Sequence, residues 1–256
     1  MSQSVDTNIC VIIENNLFKI QYVLETILLN TPVGMNYQLY IYSNEYLDDS
    51  VNEYLNNLID KIKEKKINAN IVFKQFIKKL NNAEIYNSFL RESVDGYFCI
   101  INTNTLVPID YILDLKYNYT NIMDSGIAMI KCDNNGKKLR PYLCKDDSLK
   151  MLWDAESMII NDKSIIYFNN ELVKKIGYFD EGLNDNLIID DYLYRSLSTT
   201  NQNYYLQNLT AYKVLGFKHD SKKELISQES LNDFKNNLNN MLKTNNFYKD
   251  GNFKNK

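Results

Sequence analysis

The chain has 256 residues, 45% of them hydrophobic and 24% charged, with a formal net charge of −3. That is enough chain for one large α/β domain or two small ones with a real core, and the acidic balance gives no bulk attraction to nucleic acid or anionic lipid. No apolar run approaches the roughly 20 residues that span a bilayer, and Met1-Ser-Gln-Ser-Val-Asp6 has no basic region leading into an apolar core, so a cytoplasmic protein is expected.

Ile9 to Ile13 is a short continuous apolar run, as in a strand covered on both faces. From Leu17 to Leu29 the apolar residues Leu17, Ile20, Val23, Leu24, Ile27 and Leu28 recur at helical spacing. Gln38 to Tyr42 reads as a second strand and Leu47 to Lys65 as a second amphipathic helix. Asn70 to Phe73 is a third strand, Ala83 to Val94 a third helix and Tyr97 to Ile101 a fourth strand. This alternation predicts an α/β fold with a mixed, mostly parallel sheet flanked by helices.

Ligands of such sheets bind beyond the carboxyl ends of the strands. Glu14-Asn15-Asn16, Ser43-Asn44 and Asn102-Thr103-Asn104 all fall at such ends, and in the last of them short polar side chains interrupt an otherwise apolar run. The second half is less regular. Ile127 to Cys132, an Asn-Gly turn and Lys137 to Leu143 read as a hairpin. Ser164 to Phe168 is a strand, and Asn170 to Ile176 a short helix stopped by Gly177. Ile188 to Leu197 is helical, Tyr204 to Val214 a strand, and Leu225 to Leu242 an amphipathic helix before a frayed tail. Cys10 and Cys99 lie inside strand runs and are expected to be small core residues. With no repeat or linker, one domain over 1–220 is expected, with 221–256 as an appended helix and tail.

The run Phe168-Asn-Asn-Glu-Leu-Val-Lys-Lys-Ile-Gly-Tyr-Phe-Asp-Glu181 resembles a segment of the large inverting family of GT-A glycosyltransferases (family 2 type) that includes cellulose, chitin and rhamnan synthases. Ile9 to Asn16 is similar to that family's opening strand, with Glu14 in place of the usual Pro, and Ala83 to Cys99 to its helix with a characteristic Asn, here Asn87. The resemblance implies a GT-A fold and transfer of a sugar from a nucleotide diphosphate sugar to an acceptor hydroxyl. It places the donor against Glu14, Asn16, Ser43, Asn44, Asn87, Asn102, Thr103 and Asn104.

The sequence departs from the family at several of these places. Ser43-Asn44-Glu45 stands where an Asp reads the nucleotide base, and Asn102-Thr103-Asn104 stands for the metal-binding Asp-x-Asp. An Asn oxygen can ligate a cation but brings no charge. At roughly 4 Å and an effective dielectric near 20, each lost charge forfeits on the order of 4 kcal/mol of attraction per unit charge on the ion. The resemblance therefore implies Mn²⁺ or Mg²⁺ held weakly, through Asn104 and His219, or binding without metal. Asp190 and Asp191, upstream of Arg195, offer the general base that takes the acceptor's proton. By strict spacing the family's acidic pair falls instead on Ile188-Ile189. Trp153 and Asp154 lie where acceptor-binding segments sit in the family. The alternative is a catalytically degenerate GT-A domain that acts as a binding or scaffold module.

Overall fold

The protein was analysed as a computed structural model, which describes residues 6–32, 34–64, 69–93, 96–103, 105–121, 125–132, 164–200 and 202–213. The first half alternates strand and helix: β1 (Thr7–Ile13), α1 (Leu17–Asn30), β2 (Tyr37–Ser43), α2 (Asp49–Glu64), β3 (Ala69–Gln75), α3 (Asn82–Glu92) and β4 (Tyr97–Ile101). It continues through β5 (Thr105–Leu106), α4 (Tyr111–Asn121) and β6 (Ser125–Cys132). After residue 163 come β7 (Ile165–Asn169), α5 (Asn170–Ile176), α6 (Asp185–Thr199) and β8 (Gln202–Lys213).

The strands form an 8-stranded sheet in the order β3-β2-β1-β4-β7-β6-β8-β5. The β3-β2-β1-β4 half is parallel throughout. β7 then runs antiparallel to β4 and to β6, β8 is parallel to β6, and β5 is antiparallel to β8. β1 is buried at all seven positions, as a central strand covered on both faces must be. Burial pushes the thiols of Cys10 and Cys99 up, which fits their place as inert core residues.

Within the described residues the expected strands and helices are present with small changes at their ends. Asn169 caps α5 by accepting from the Leu172 N–H at 2.9 Å. Gly177 ends that helix at φ 79, a backbone region that favours glycine. α4 is additional to the elements expected from the sequence; it packs on the sheet through Tyr111, Ile112, Leu115 and Tyr119. The expected hairpin is changed. Over Ala128–Ile130, β6 is flanked by β7, and β8 pairs along its other edge, so no second arm pairs with it there. Residues 137–143 and the helix expected over 225–242 lie outside the described residues. Among the described residues no helix is long and apolar enough to cross a membrane.

Candidate functional site

Because β1 lies between β2 and β4, the loops after these three strands open on one edge of the sheet. Register puts Ile13 beside Ser43, and Val11 beside Ile101. The loops are stitched together locally. The Asn15 N–H donates to Glu45 Oε2 at 3.1 Å, and Asn15 Oδ1 accepts from the Asp48 N–H at 2.9 Å. Thr103 Oγ1 donates to the carbonyl of Ile12 at 3.0 Å. The Asn102 N–H donates to the carbonyl of Ser164 at 2.7 Å, which joins the β4 end to the β7 start. The edge is therefore a continuous backbone-lined rim, not three independent loops.

The expected donor residues divide by what they do on this rim. Glu14 is exposed and pairs with Lys19 at 3.2 Å, while Asn16 caps α1 by accepting from the Lys19 N–H at 3.1 Å. Asn102 is exposed and Thr103 half-buried. Ser43 and Asn87, by contrast, are 0% and 1% exposed. Ser43 Oγ donates to the Glu45 carbonyl at 2.9 Å and so shapes the turn after β2. Asn44 spans the backbone of Leu80: its Oδ1 accepts from the Leu80 N–H at 2.7 Å and its Nδ2 donates to the Leu80 carbonyl. Asn87 does the same for the segment around Phe179, accepting from its N–H at 2.8 Å and donating to its carbonyl at 2.9 Å and to Glu181 Oε1 at 2.7 Å. These three side chains build the site's walls. Asn104, Trp153, Asp154 and His219 lie outside the described residues.

Asp190 and Asp191 come from α6, which is fixed to the rim through α3. Asn81 Nδ2 donates to the Glu181 carbonyl at 2.6 Å, and the Asn82 N–H donates to Asp185 Oδ1 at 2.8 Å. Both candidate bases are buried, Asp190 at 1% and Asp191 at 3% exposure. Asp191 Oδ2 accepts from Arg195 Nε at 2.8 Å, one helical turn on, and Arg195 also donates to the Ile176 carbonyl at 2.7 Å. Burial raises the Asp191 carboxyl above the ordinary carboxylate range, and the Arg195 charge pulls it back only in part. A base must touch the acceptor hydroxyl; Asp191 as placed also ties α6 to α5 through Arg195.

Sequence reasoning passes over Glu45, whose carboxylate and carbonyl hold both neighbouring loops, the latter through Gln75 Nε2 at 2.9 Å. No local signal marks it. It also passes over Asn81, which Asn-x-x-Glu could have disclosed: Asn81 and Glu84 form a reciprocal capping box at the start of α3. Among the described residues no group of three or more His, Cys, Asp or Glu is placed to hold a metal.

No family model matches the sequence. No curated protein matches it either. Solved structures do. The mannosyltransferase PcManGT from Pyrobaculum calidifontis, in complex with GDP-Man and Mn²⁺, superposes with TM-score 0.61 at 12% identity, over 85% of this chain and 59% of that one. S. aureus TarS superposes with TM-score 0.63 at 12% identity, over 94% of this chain and 40% of that one. GalNAc-T7 with UDP, GalNAc and Mn²⁺ gives 0.59 at 11%, over 84% and 44%. The chain thus has the GT-A fold, and it spans about 40–60% of the length of these neighbours.

Proposed function

We propose that this protein is a glycosyltransferase of the inverting type, which moves a sugar from a nucleotide diphosphate sugar to an acceptor hydroxyl. The observation that carries the proposal is the joined rim after β1, β2 and β4, on a fold whose solved neighbours include complexes with GDP-Man, UDP-GlcNAc and UDP. The donor lies along Glu14, Asn16, Asn102, Thr103 and Asn104, with Ser43, Asn44 and Asn87 holding the rim in shape. The acceptor oxygen attacks the anomeric carbon, the bond to the diphosphate breaks on the opposite face, and the proton passes to Asp190 or Asp191. Trp153 and Asp154 are the residues assigned to the acceptor. The protein works in the cytoplasm.

The donor groups for a metal are neutral amides, with His219, which fits a divalent ion held chiefly by the diphosphate itself. Mn²⁺ or Mg²⁺ bound there would offset the charge of the leaving diphosphate. A metal-free site would leave that task to N–H donors on the rim.

One observation favours the second reading, a degenerate GT-A domain that binds without turning over. Asp191 is committed to Arg195, and the position that strict spacing gives the family's acidic pair holds Ile188, which is fully buried, and Ile189. The test is thermal stabilisation by a panel of nucleotide sugars with and without Mn²⁺, followed by hydrolysis and transfer assays on any binder. Stabilisation with turnover that falls in Asp190→Asn or Asp191→Asn supports the enzyme. Stabilisation with no turnover supports the binding module, and no stabilisation by any donor defeats both.

A further inference from the structure

In the family that the sequence resembles, an Asp at the end of β2 reads the nucleotide base. Here that segment is Ser43-Asn44-Glu45, and the fold uses up the first two. Ser43 is fully buried, and its Oγ donates to the Glu45 carbonyl at 2.9 Å and accepts from the Glu45 N–H at 3.3 Å. Asn44 is half-buried and gives both ends of its amide to the backbone of Leu80. Glu45 differs from both, because its side chain is exposed. Its Oε2 accepts from the Asn15 N–H at 3.1 Å, and among the described residues Oε1 has no hydrogen-bond partner and no cation pairs with the carboxylate. The backbone of Glu45 is fixed as well, since its carbonyl accepts from Ser43 Oγ and Gln75 Nε2, each at 2.9 Å. Glu45 therefore carries its acceptor oxygens on a backbone with little freedom left to lose on binding. The next residue, Tyr46, is 81% exposed and adds an aromatic ring on which any base can stack.

Only β1 separates β2 from β4, so the ends of these strands lie about 10 Å apart at the usual strand spacing. A diphosphate at Asn102 and Thr103 leaves the β2 end to the nucleoside. A carboxylate only accepts hydrogen bonds, and its lone pairs suffice for the Asn15 N–H and two further donors. Among the common bases guanine alone carries two adjacent donors, N1–H and the 2-amino group, on its pairing edge. Uracil has one N–H between two carbonyls, and in adenine and cytosine the amino group sits beside a ring nitrogen that accepts. We propose that Glu45 reads the donor's base as guanine, through paired charge-assisted hydrogen bonds from N1–H and the 2-amino group. This assignment rests on the proposed donor site and narrows its substrate class to guanosine diphosphate sugars.

Calorimetric titration of the full chain with nucleoside diphosphates, with Mn²⁺ present throughout, tests it. GDP should bind about tenfold or more tightly than UDP, ADP or CDP, the scale of one bidentate contact to a base. IDP, which keeps N1–H but lacks the 2-amino group, should bind the native protein several-fold more weakly than GDP. Glu45→Gln keeps an acceptor for the Asn15 N–H and removes the charge, so it should weaken GDP by about tenfold and leave UDP within about twofold of native. Tyr46→Ala should weaken every nucleoside diphosphate alike. The inference is overturned if GDP and IDP bind equally, if UDP matches GDP, or if Glu45→Gln, still folded by circular dichroism, keeps the preference for GDP. Loss of the preference in Tyr46→Ala but not in Glu45→Gln also overturns it. Absence of binding by any nucleoside diphosphate defeats the donor site itself, a result distinct from binding without base preference.

Discussion

Arg195 is the largest of the fully buried side chains among the described residues, and it carries a charge. Its guanidinium donates to Asp191 and to the Ile176 carbonyl, and lies over the Tyr192 ring at 4.9 Å. Removing one member of such a pair leaves the other uncompensated, at a cost of about 3–5 kcal/mol. Arg195→Met should therefore lower unfolding free energy by that order at neutral pH, read by urea denaturation. The pH dependence comes from burial, which raises the folded-state carboxyl of Asp191 above its unfolded value. A raised carboxyl makes its contribution fully below the unfolded value and loses it as pH rises through the folded one. Without Arg195 the folded value rises further, so the defect of the variant should shrink as the solution is acidified. Gly126 gives a second residue-scale outcome. A Cβ there would fall on Ser196 Oγ, Asn203 Oδ1 and Thr200 Oγ1, three atoms of a buried polar cluster. Asn203 uses that same oxygen to accept from the Ile127 N–H at 2.8 Å and from Ser196 Oγ at 2.8 Å. Gly126→Ala should thus destabilise by about 1–3 kcal/mol through overpacking, seen as a lower melting temperature with no change in the denaturant slope. The i,i+4 spacing of Asp191 and Arg195 is legible in the sequence. Their burial is not, because it depends on α5, whose Ile176 carbonyl accepts from Arg195, packing against α6.

At the scale of elements, α3 is the joint between the two halves of the sheet. Its start is tied to 181–185 by Asn81 and Asn82, and its middle to Phe179 by Asn87. Asn87→Ala strands a buried N–H and a buried carbonyl, each costing about 1–3 kcal/mol. The variant should lose about 2–4 kcal/mol and exchange faster over 179–185, measured by denaturation and hydrogen exchange; Asn87→Asp keeps the acceptor for the Phe179 N–H but sets a buried carboxylate against that of Glu181, and should lose at least as much at neutral pH. The sequence shows most elements because continuous apolar runs mark the central strands, and helical spacing marks α1 to α3. It hides α4, which packs with two tyrosines among its four buried residues and begins after Asp110 at φ 56 without a side-chain N-cap signal. It also misassigns the partner of β6. An Asn-Gly turn is a local signal, and the pairing of β6 with β7 and β8 is set by distant segments. The same reason explains why Ser43, Asn44 and Asn87 read as ligand-facing. A strand-end position (Ser43, Asn44) or a family-like helix pattern (Asn87 in α3) is visible in sequence, but the backbone that each side chain clamps lies 2 to 92 residues away.

For the molecule as a whole, the parallel half supplies the rim and the antiparallel half, through β7 and α6, supplies the candidate base. The two halves meet at Asn102, whose N–H joins β4 to the Ser164 carbonyl while its side chain stays exposed. Under the proposed function, that position sets how the site treats charge. A donor present at 100 times its dissociation constant adds about 2.7 kcal/mol of stability. For a chain of this size that amounts to a rise of roughly 5–10 °C in melting temperature. With a neutral amide at Asn102, most of that rise should appear with the nucleotide sugar alone, and Mn²⁺ should add little. Asn102→Asp restores a charge worth on the order of 4 kcal/mol per unit charge on the ion, before screening. The variant should bind Mn²⁺ in the presence of the donor at least tenfold more tightly and without Mn²⁺ should bind the donor more weakly, since the new carboxylate then repels the diphosphate. Calorimetric titration of donor with and without Mn²⁺, on both proteins, separates these effects. An equal Mn²⁺ response in the two would place Asn102 away from the diphosphate, and the donor would then have to lie along the rim nearer β2 than β4.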